Sequence, residues 1–477
     1  MNPGTRDDGR LGAHLVKVVA TTSISFVVTQ LDVTIVNVAL VPLGASLRMG
    51  VAQLQWVVDA YTLVFAVCML SAGMLGDRLG ARRVFMGGIA LFALASLGGA
   101  LSNGAALLIA ARAWQGLGAA VMLPTSLALL SEACGTRPTT RARAVGLWTA
   151  AGAISIAAGP VVGGFLIAAC GWRGIFLVNL PLCAAGLVAA WAWLPSDRGA
   201  AREAEGGGRA AAPRRFNLTG QLLAMLSLLA VTHAFIEWQR FGLAHPRIWG
   251  SLAAGMLAGA LLVAHERRSR APLLPPGLFA TPVFAAAVGF GMCMNLAYYG
   301  TVFVLSLYLQ RVLGYAPLQA GIAFLPLTGG FLVSNVASGW IAGAFGARVP
   351  MAAGAVIALC GYAMLGCVGG ATTMSGLLLP FLLIPGGMGL AVPAMTSVVL
   401  AQAERRHAGT ASAALNTARQ AAGAIGVAGF GALAGGGALH VVAGLRVAAA
   451  IAVALMLVAA ALAGLVRTRE ARVELSR

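Results

Sequence analysis

Fourteen apolar runs, each close to the roughly 20 residues a helix needs to cross a bilayer, follow one another along this chain. They span 16–40, 54–75, 84–103, 105–131, 142–168, 174–194, 217–236, 247–264, 283–309, 316–343, 350–370, 373–400, 410–436 and 445–466. No soluble core can bury so many. Only 10% of the residues are charged, against about a quarter in soluble domains, so a water-facing surface cannot be built from them either. Backbone polar groups in lipid must be satisfied within each segment, which makes the runs helices. The fold class is therefore an all-α integral membrane protein.

The basic residues test the count. With the N-terminus inside, the inside segments collect 24 of the 32 Lys and Arg residues; six lie outside and two, Arg112 and Arg419, fall within helices. Omitting one span would invert every later assignment and abolish this asymmetry. Both termini are expected to be cytoplasmic, in a bacterial cell membrane. The net charge of +18 then reads as a topology signal and not as a nucleic-acid-binding surface. Nothing at the N-terminus resembles a cleavable signal peptide, so the first span is expected to be an uncleaved anchor. The seven cysteines are odd in number and lack Cys-x-x-Cys spacing, so they are expected to be structural thiols, with no metal bound.

The spans divide into an N-terminal six-helix bundle (1–195), a Gly-, Ala- and charge-rich cytoplasmic linker (196–216) and an inserted helix pair (217–264). A second cytoplasmic linker (265–282) leads to a C-terminal six-helix bundle with a short cytoplasmic tail (283–477). An internal repeat relates the halves. Gly73-x-x-x-Asp77-x-x-Gly80-x-Arg82 follows the second span, and Gly339-x-x-x-Gly343-x-x-Gly346-x-Arg348 follows the tenth. Related halves around a midplane site describe a transporter.

Intramembrane ionisable groups are costly and mark function by default. Of fourteen acids, Asp32 and Asp59 fall clearly inside spans, with Glu237 at the outer end of the seventh. Counting about 1.5 Å per residue puts Asp32, Asp59 and Arg112 at similar depth, as a candidate proton-coupling cluster. For Asp32 the other reading is a structural hydrogen bond to a neighbouring helix, for Asp59 a place near interfacial water, for Glu237 a loop edge, and for Arg112 snorkelling to the outer interface. Arg419 fits substrate binding and structural pairing equally well. In the loop from Gly73 to Arg83, Asp77 suits the N-terminus of the third helix or an arginine partner. In the fifth span Pro160 removes a backbone donor, while Gly159, Gly163 and Gly164 permit close helix packing.

These segments resemble known signatures. Gly73, Asp77, Arg78, Gly80 and Arg82 resemble the loop 2–3 motif of the major facilitator superfamily, which implies a cytoplasmic gate latching the two halves. Arg112 with Gln115 and Gly116 is similar to its helix-four motif, which implies proton transfer. Gly146, Ser155, Gly159, Pro160, Gly163 and Gly164 resemble the antiporter signature of exporters, with Ser155 where Gly is usual. Leu31 to Leu40, containing Asp32 and Asn37, is similar to the helix-one signature of the fourteen-helix drug:proton antiporters, with Val41 intervening before Pro42. Gln55 to Tyr61, Trp172 to Pro181, and Asn416, Arg419, Gln420, Gly423 and Gly426 fit the same branch.

The resemblance covers nearly the whole chain and is nearest to actinomycete antibiotic exporters of the methylenomycin-resistance type. It implies the major facilitator fold, with two six-helix halves plus two inserted helices. The implied activity is proton-driven export of a small hydrophobic drug or antibiotic, with no cofactor, by a monomer. Asn37, Gln115, Asn416, Arg419 and Gln420 are the candidate substrate-cavity residues. A proton-coupled uptake carrier and a membrane ligand sensor are the alternatives. Without a converging nucleophile, base or metal set, the chain is not expected to be an enzyme.

Overall fold

The computed structural model describes residues 12–135, 138–195, 217–242, 244–269, 272–273, 281–370, 372–402 and 408–466. The expected linker over 196–216, half of the second linker (270–271 and 274–280) and the tail beyond 466 lie outside the described residues. The described chain is helical. The first half contains α1 (Ala13–Leu47), α2 (Val51–Leu79), α3 (Ala81–Ala100), α4 (Ala105–Cys134), α5 (Pro138–Cys170), the short α6 (Gly174–Leu177) and α7 (Asn179–Trp193). The inserted pair is α8 (Leu218–Phe241) and α9 (Pro246–Arg268). The second half runs through α10 (Pro282–Leu307) and a π-turn (Tyr308–Val312) to α11 (Pro317–Ala323) and α12 (Leu325–Phe345). It ends with α13 (Arg348–Leu365), α14 (Met374–Gln402), α15 (Ala408–Leu433) and α16 (Ala438–Leu465).

Among the described residues, 13 segments are long and apolar enough to cross a membrane, with α6–α7 and α11–α12 each making one span. The segment expected over 410–436 is present as α15, a 26-residue helix, yet is not one of the 13. Asn416, Arg419 and Gln420 dilute its apolarity. A helix can carry such residues only where it faces protein or a cavity instead of lipid, and α15 packs on α10, on α2 and on α8.

Within the first half, α4 packs on α2 and α3, and α5 and α7 on α1; in the second, α15 and α16 pack on α10, and α12 and α13 on α14. The repeat read in the sequence is a repeat of backbone. Gly80 (φ 91°) ends α2, and Gly346 (φ 76°) ends α12. Both adopt a conformation that a side chain would strain, and their N–H groups bond back to Gly76 and Ala342 at 3.0 Å.

Two apolar clusters make the core. One holds residues of the first half alone, including Phe85, Phe92 and Leu130. The other runs through the second half and crosses to Leu40, Leu43, Leu54 and Phe176 of the first. The halves are thus welded at the end that carries the α1–α2 turn. There the Ser306 hydroxyl donates to the Asn37 carbonyl, and Gln310, within the π-turn, donates to the Val38 carbonyl at 3.1 Å. On the flank, Gln55 of α2 donates to the Val427 and Ala428 carbonyls of α15 at 3.1 and 2.5 Å. The inserted pair leans on this seam through α8, which touches both α2 and α15.

Candidate functional site

A buried polar centre forms where α1, α2, α3, α4 and α7 meet. Arg112 and Gln115, three residues apart, share one face of α4 and turn it toward α1. Arg112 Nη1 is ion-paired to Asp32 Oδ2, and both side chains are essentially excluded from solvent, at 2% and 1% exposure. The other carboxylate oxygen accepts from Gln115 Nε2 and from Asn179 Nδ2, each at 3.1 Å. Arg112 also donates through Nε to the Val57 carbonyl at 3.0 Å and through Nη1 to the Gln115 side-chain carbonyl at 2.9 Å. Its guanidinium lies 4.5 Å from the centre of the Tyr61 ring, a cation–π contact. Ser96 of α3 closes the network, its hydroxyl taking bonds from Gln115 at 2.8 Å and Asn179 at 3.3 Å.

A buried ion pair is stable only when its remaining hydrogen-bonding capacity is met. Here Asp32 receives donors from three side chains, so its charge is held in place. Asn179, the first residue of α7, reaches it from the neighbouring span. The two arginine readings are thereby separated: Arg112 turns inward to Asp32 and away from the interface.

Asp59 stands apart from this network. It is fully buried, and among the described residues neither carboxylate oxygen has a hydrogen-bond partner. It follows Gln55 by one turn, so it shares the face of α2 that Gln55 turns toward α15. The depth estimated from sequence was level with Arg112, which bonds the backbone only two residues away. The rotation of α2 then points the carboxylate elsewhere. Glu237 lies at the far end of α8, and His233 packs against Trp56, with ring centres 6.4 Å apart, and against Ser251.

The gate candidates occupy the opposite end of the first half. Arg78 and Gly80 end α2, and Arg82 in the first turn of α3 donates to the Trp191 carbonyl of α7 at 2.6 Å. Gly73 and Asp77 belong to α2, but their side-chain surroundings lie outside the described residues. The glycines of α5 face two ways. A side chain at Gly159 would collide with Thr34 of α1, and one at Gly163 would press on Ile35, at 3.3 Å. Gly164 faces the second half instead, where a Cβ would come within 2.6 Å of the Leu318 backbone in α11. The Pro160 carbonyl meets Gly321 in the same crossing.

Between the halves lies a cavity of about 750 Å³, counting the space at its open side. It is lined by Gln30, Val33, Thr34 and Asn37 of α1, by Ile156 and Pro160 of α5, and by Asn295, Tyr298, Tyr299 and Val302 of α10. Phe324, Leu327, Thr328, Phe331, Met388 and Arg419 complete it. Its mainly apolar, aromatic wall with a few amides suits a small molecule. Of the residues expected at the cavity, Asn37 and Arg419 line it, Gln115 belongs to the Asp32 centre, and Asn416 and Gln420 lie on α15 outside the lining.

Sequence reasoning missed Ser96 as a partner and Asn295 as a lining residue, and met Tyr61 and Asn179 only as parts of a motif. Neutral polar residues are common enough in membrane helices that only their three-dimensional neighbours distinguish them. The one available signal was their isolation in otherwise apolar runs.

The sequence matches the Major Facilitator Superfamily over residues 22–427. It is 35% identical over 417 residues to the "Methylenomycin A resistance protein" of Bacillus subtilis, covering 87% of this chain and 86% of that one. The protein of the same name from Streptomyces coelicolor is 35% identical, with 85% and 83% covered. The "Tetracenomycin C resistance and export protein" of Streptomyces glaucescens is 31% identical, with 86% and 74% covered. A solved POT family transporter shares the fold at TM-score 0.68 and 12% identity, covering 94% of this chain and 96% of that chain. A bacterial homologue of the lysosomal transporter Spinster does so at 0.64 and 16%, covering 96% and 98%. By its sequence and its fold, this multi-pass membrane protein belongs to the Major Facilitator Superfamily.

Proposed function

We propose that the chain exports small, mostly apolar drugs or antibiotics from the cytoplasm in exchange for protons, the central cavity opening alternately to each side of the membrane. One observation carries the coupling. The helix that holds Asp32 in the buried centre, α1, also supplies Gln30, Val33, Thr34 and Asn37 to the cavity wall. A proton on Asp32 cancels the charge that holds Arg112, Gln115 and Asn179, so protonation and the pose of α1 are linked. Coupling requires such a differential interaction with two states. Asp59, buried without a partner among the described residues, is the second proton-accepting group. The names of the relatives, as resistance and export proteins, support the direction of transport.

The distribution of basic residues orients the molecule with both termini in the cytoplasm and the α1–α2 turn outside. With the halves joined at that outer end, the state described here is closed outward. The transporter acts as a monomer and needs no cofactor beyond the proton gradient.

The experiment is efflux from everted vesicles of an efflux-deficient bacterium, with a neutral, apolar fluorescent dye as probe and an imposed pH gradient. Asp32→Asn and Asp59→Asn should each be inserted at wild-type level and lose the pH-driven component. Wild-type rates from both variants would remove the assignment of these acids.

A further inference from the structure

We propose that the central cavity is built for organic monoanions: small molecules with an apolar body and a single carboxylate, which Arg419 binds. The proposal rests on the reading of this cavity as the transport site. Arg112 and Arg419 are the two arginines that the sequence places well inside apolar runs, and their circumstances are opposite. Arg112 is saturated by Asp32, Gln115 and the Val57 carbonyl. Arg419 lines the cavity, half-buried, with neither a hydrogen bond nor an ion pair among the described residues, and its Nε is enclosed without an acceptor. Its stem lies against Gly291 of α10, where a Cβ would come within 3.2 Å of Cγ and 3.4 Å of Cδ. The missing side chain at Gly291 is what lets this cation lie along the cavity wall.

A guanidinium within the bilayer needs a counter-charge, and this one has none from the protein among the described residues. The lining contains no carboxylate to offset it. Asp32 is spoken for by three donors behind α1, and Asp59 is not among the lining residues. The charge inside the cavity is therefore positive, which repels a cationic ligand and attracts an anion. Guanidinium presents paired N–H groups that match a carboxylate edge, and such charge-assisted bonds strengthen in a dry site. A single cation sets the ligand charge at one. Phe324 and Phe331 then receive the apolar body, and Asn295 and Asn37 offer amides to a further polar group.

The test compares three probes of one shape on the purified full-length protein in detergent: a naphthalene carboxylate, the matching carboxamide and naphthylmethylammonium, each followed by naphthalene fluorescence. The carboxylate should bind about tenfold or more tighter than the amide, as expected for hydrogen bonds to a charged group, and the ammonium weakest. Arg419→Gln should bring carboxylate and amide affinities together, with a wild-type melting temperature showing that the fold is intact. Arg419→Lys should keep a reduced preference for the carboxylate, because an ammonium is a point charge without the fork. Tightest binding of the ammonium probe, or a carboxylate preference that survives Arg419→Gln, would overturn the proposal. The vesicle assay separates the two readings. Proton-coupled efflux of the neutral dye without carboxylate preference retains the exporter and rejects the anion site. Carboxylate-selective binding without proton-coupled efflux of any of these probes retains the site and rejects the exporter.

Discussion

Asp32 and Arg112 were legible in the sequence because a charge inside an apolar run has no inexpensive explanation, but their partnership was not. It depends on the rotation of α1 against α4, which spacing along the chain does not reveal. Removing one member of a buried pair leaves the other uncompensated, at about 3–5 kcal/mol, whereas removing both can be nearly neutral. Arg112→Gln alone should therefore lower the melting temperature of the purified protein markedly, and adding Asp32→Asn should recover most of the loss. Additive losses in the double variant would show that the ion pair does not govern stability at this centre. A smaller effect is expected one bond further out. Asn179→Ala removes one of the donors on Asp32 Oδ1 and should cost about 1–3 kcal/mol in the same measurement. Asp59 shows the limit of depth counting: 1.5 Å per residue gives the level of a side chain and says nothing of its azimuth.

Helices were the most legible scale, since each span declares itself by length and apolarity, and the exception, α15, is the one that carries the cavity cation. What the sequence could not show is which glycines carry the contact between halves. Gly146, Gly159, Gly163 and Gly164 belong to one motif, yet they meet different surroundings. A Cβ at Gly146 meets nothing, whereas one at Gly164 meets the backbone of α11. Overpacking of a tight crossing costs roughly 1–3 kcal/mol, so Gly164→Val should prevent the halves from closing at the α1–α2 end and cut efflux about tenfold or more. Gly146→Ala should leave efflux unchanged. Drug resistance of an efflux-deficient host, scored at equal membrane protein level, distinguishes the two. Equal loss from both would mean that the motif acts through helix flexibility and not through contact between halves.

For the molecule as a whole, the inserted pair α8 and α9 preserves the parity of membrane crossings on which the arginine reading of topology depends. The arginine distribution gave no hint that this pair leans on the seam between α2 and α15, because that placement is a matter of packing between distant segments. The cavity was the least legible feature, as its wall draws on α1, α5, α10, α12, α14 and α15, each contributing only a few positions. The link between that cavity and Asp32 through α1 is the central claim. It is tested most directly in proteoliposomes that contain this protein alone and an internal pH dye, by adding a transported compound on one side without an imposed gradient. Movement of the compound down its gradient should drive protons the opposite way in the wild type, and Asp32→Asn should move the compound while the internal pH stays flat. Proton movement of wild-type size in the Asp32→Asn protein, or none in the wild type while the compound crosses, would contradict it.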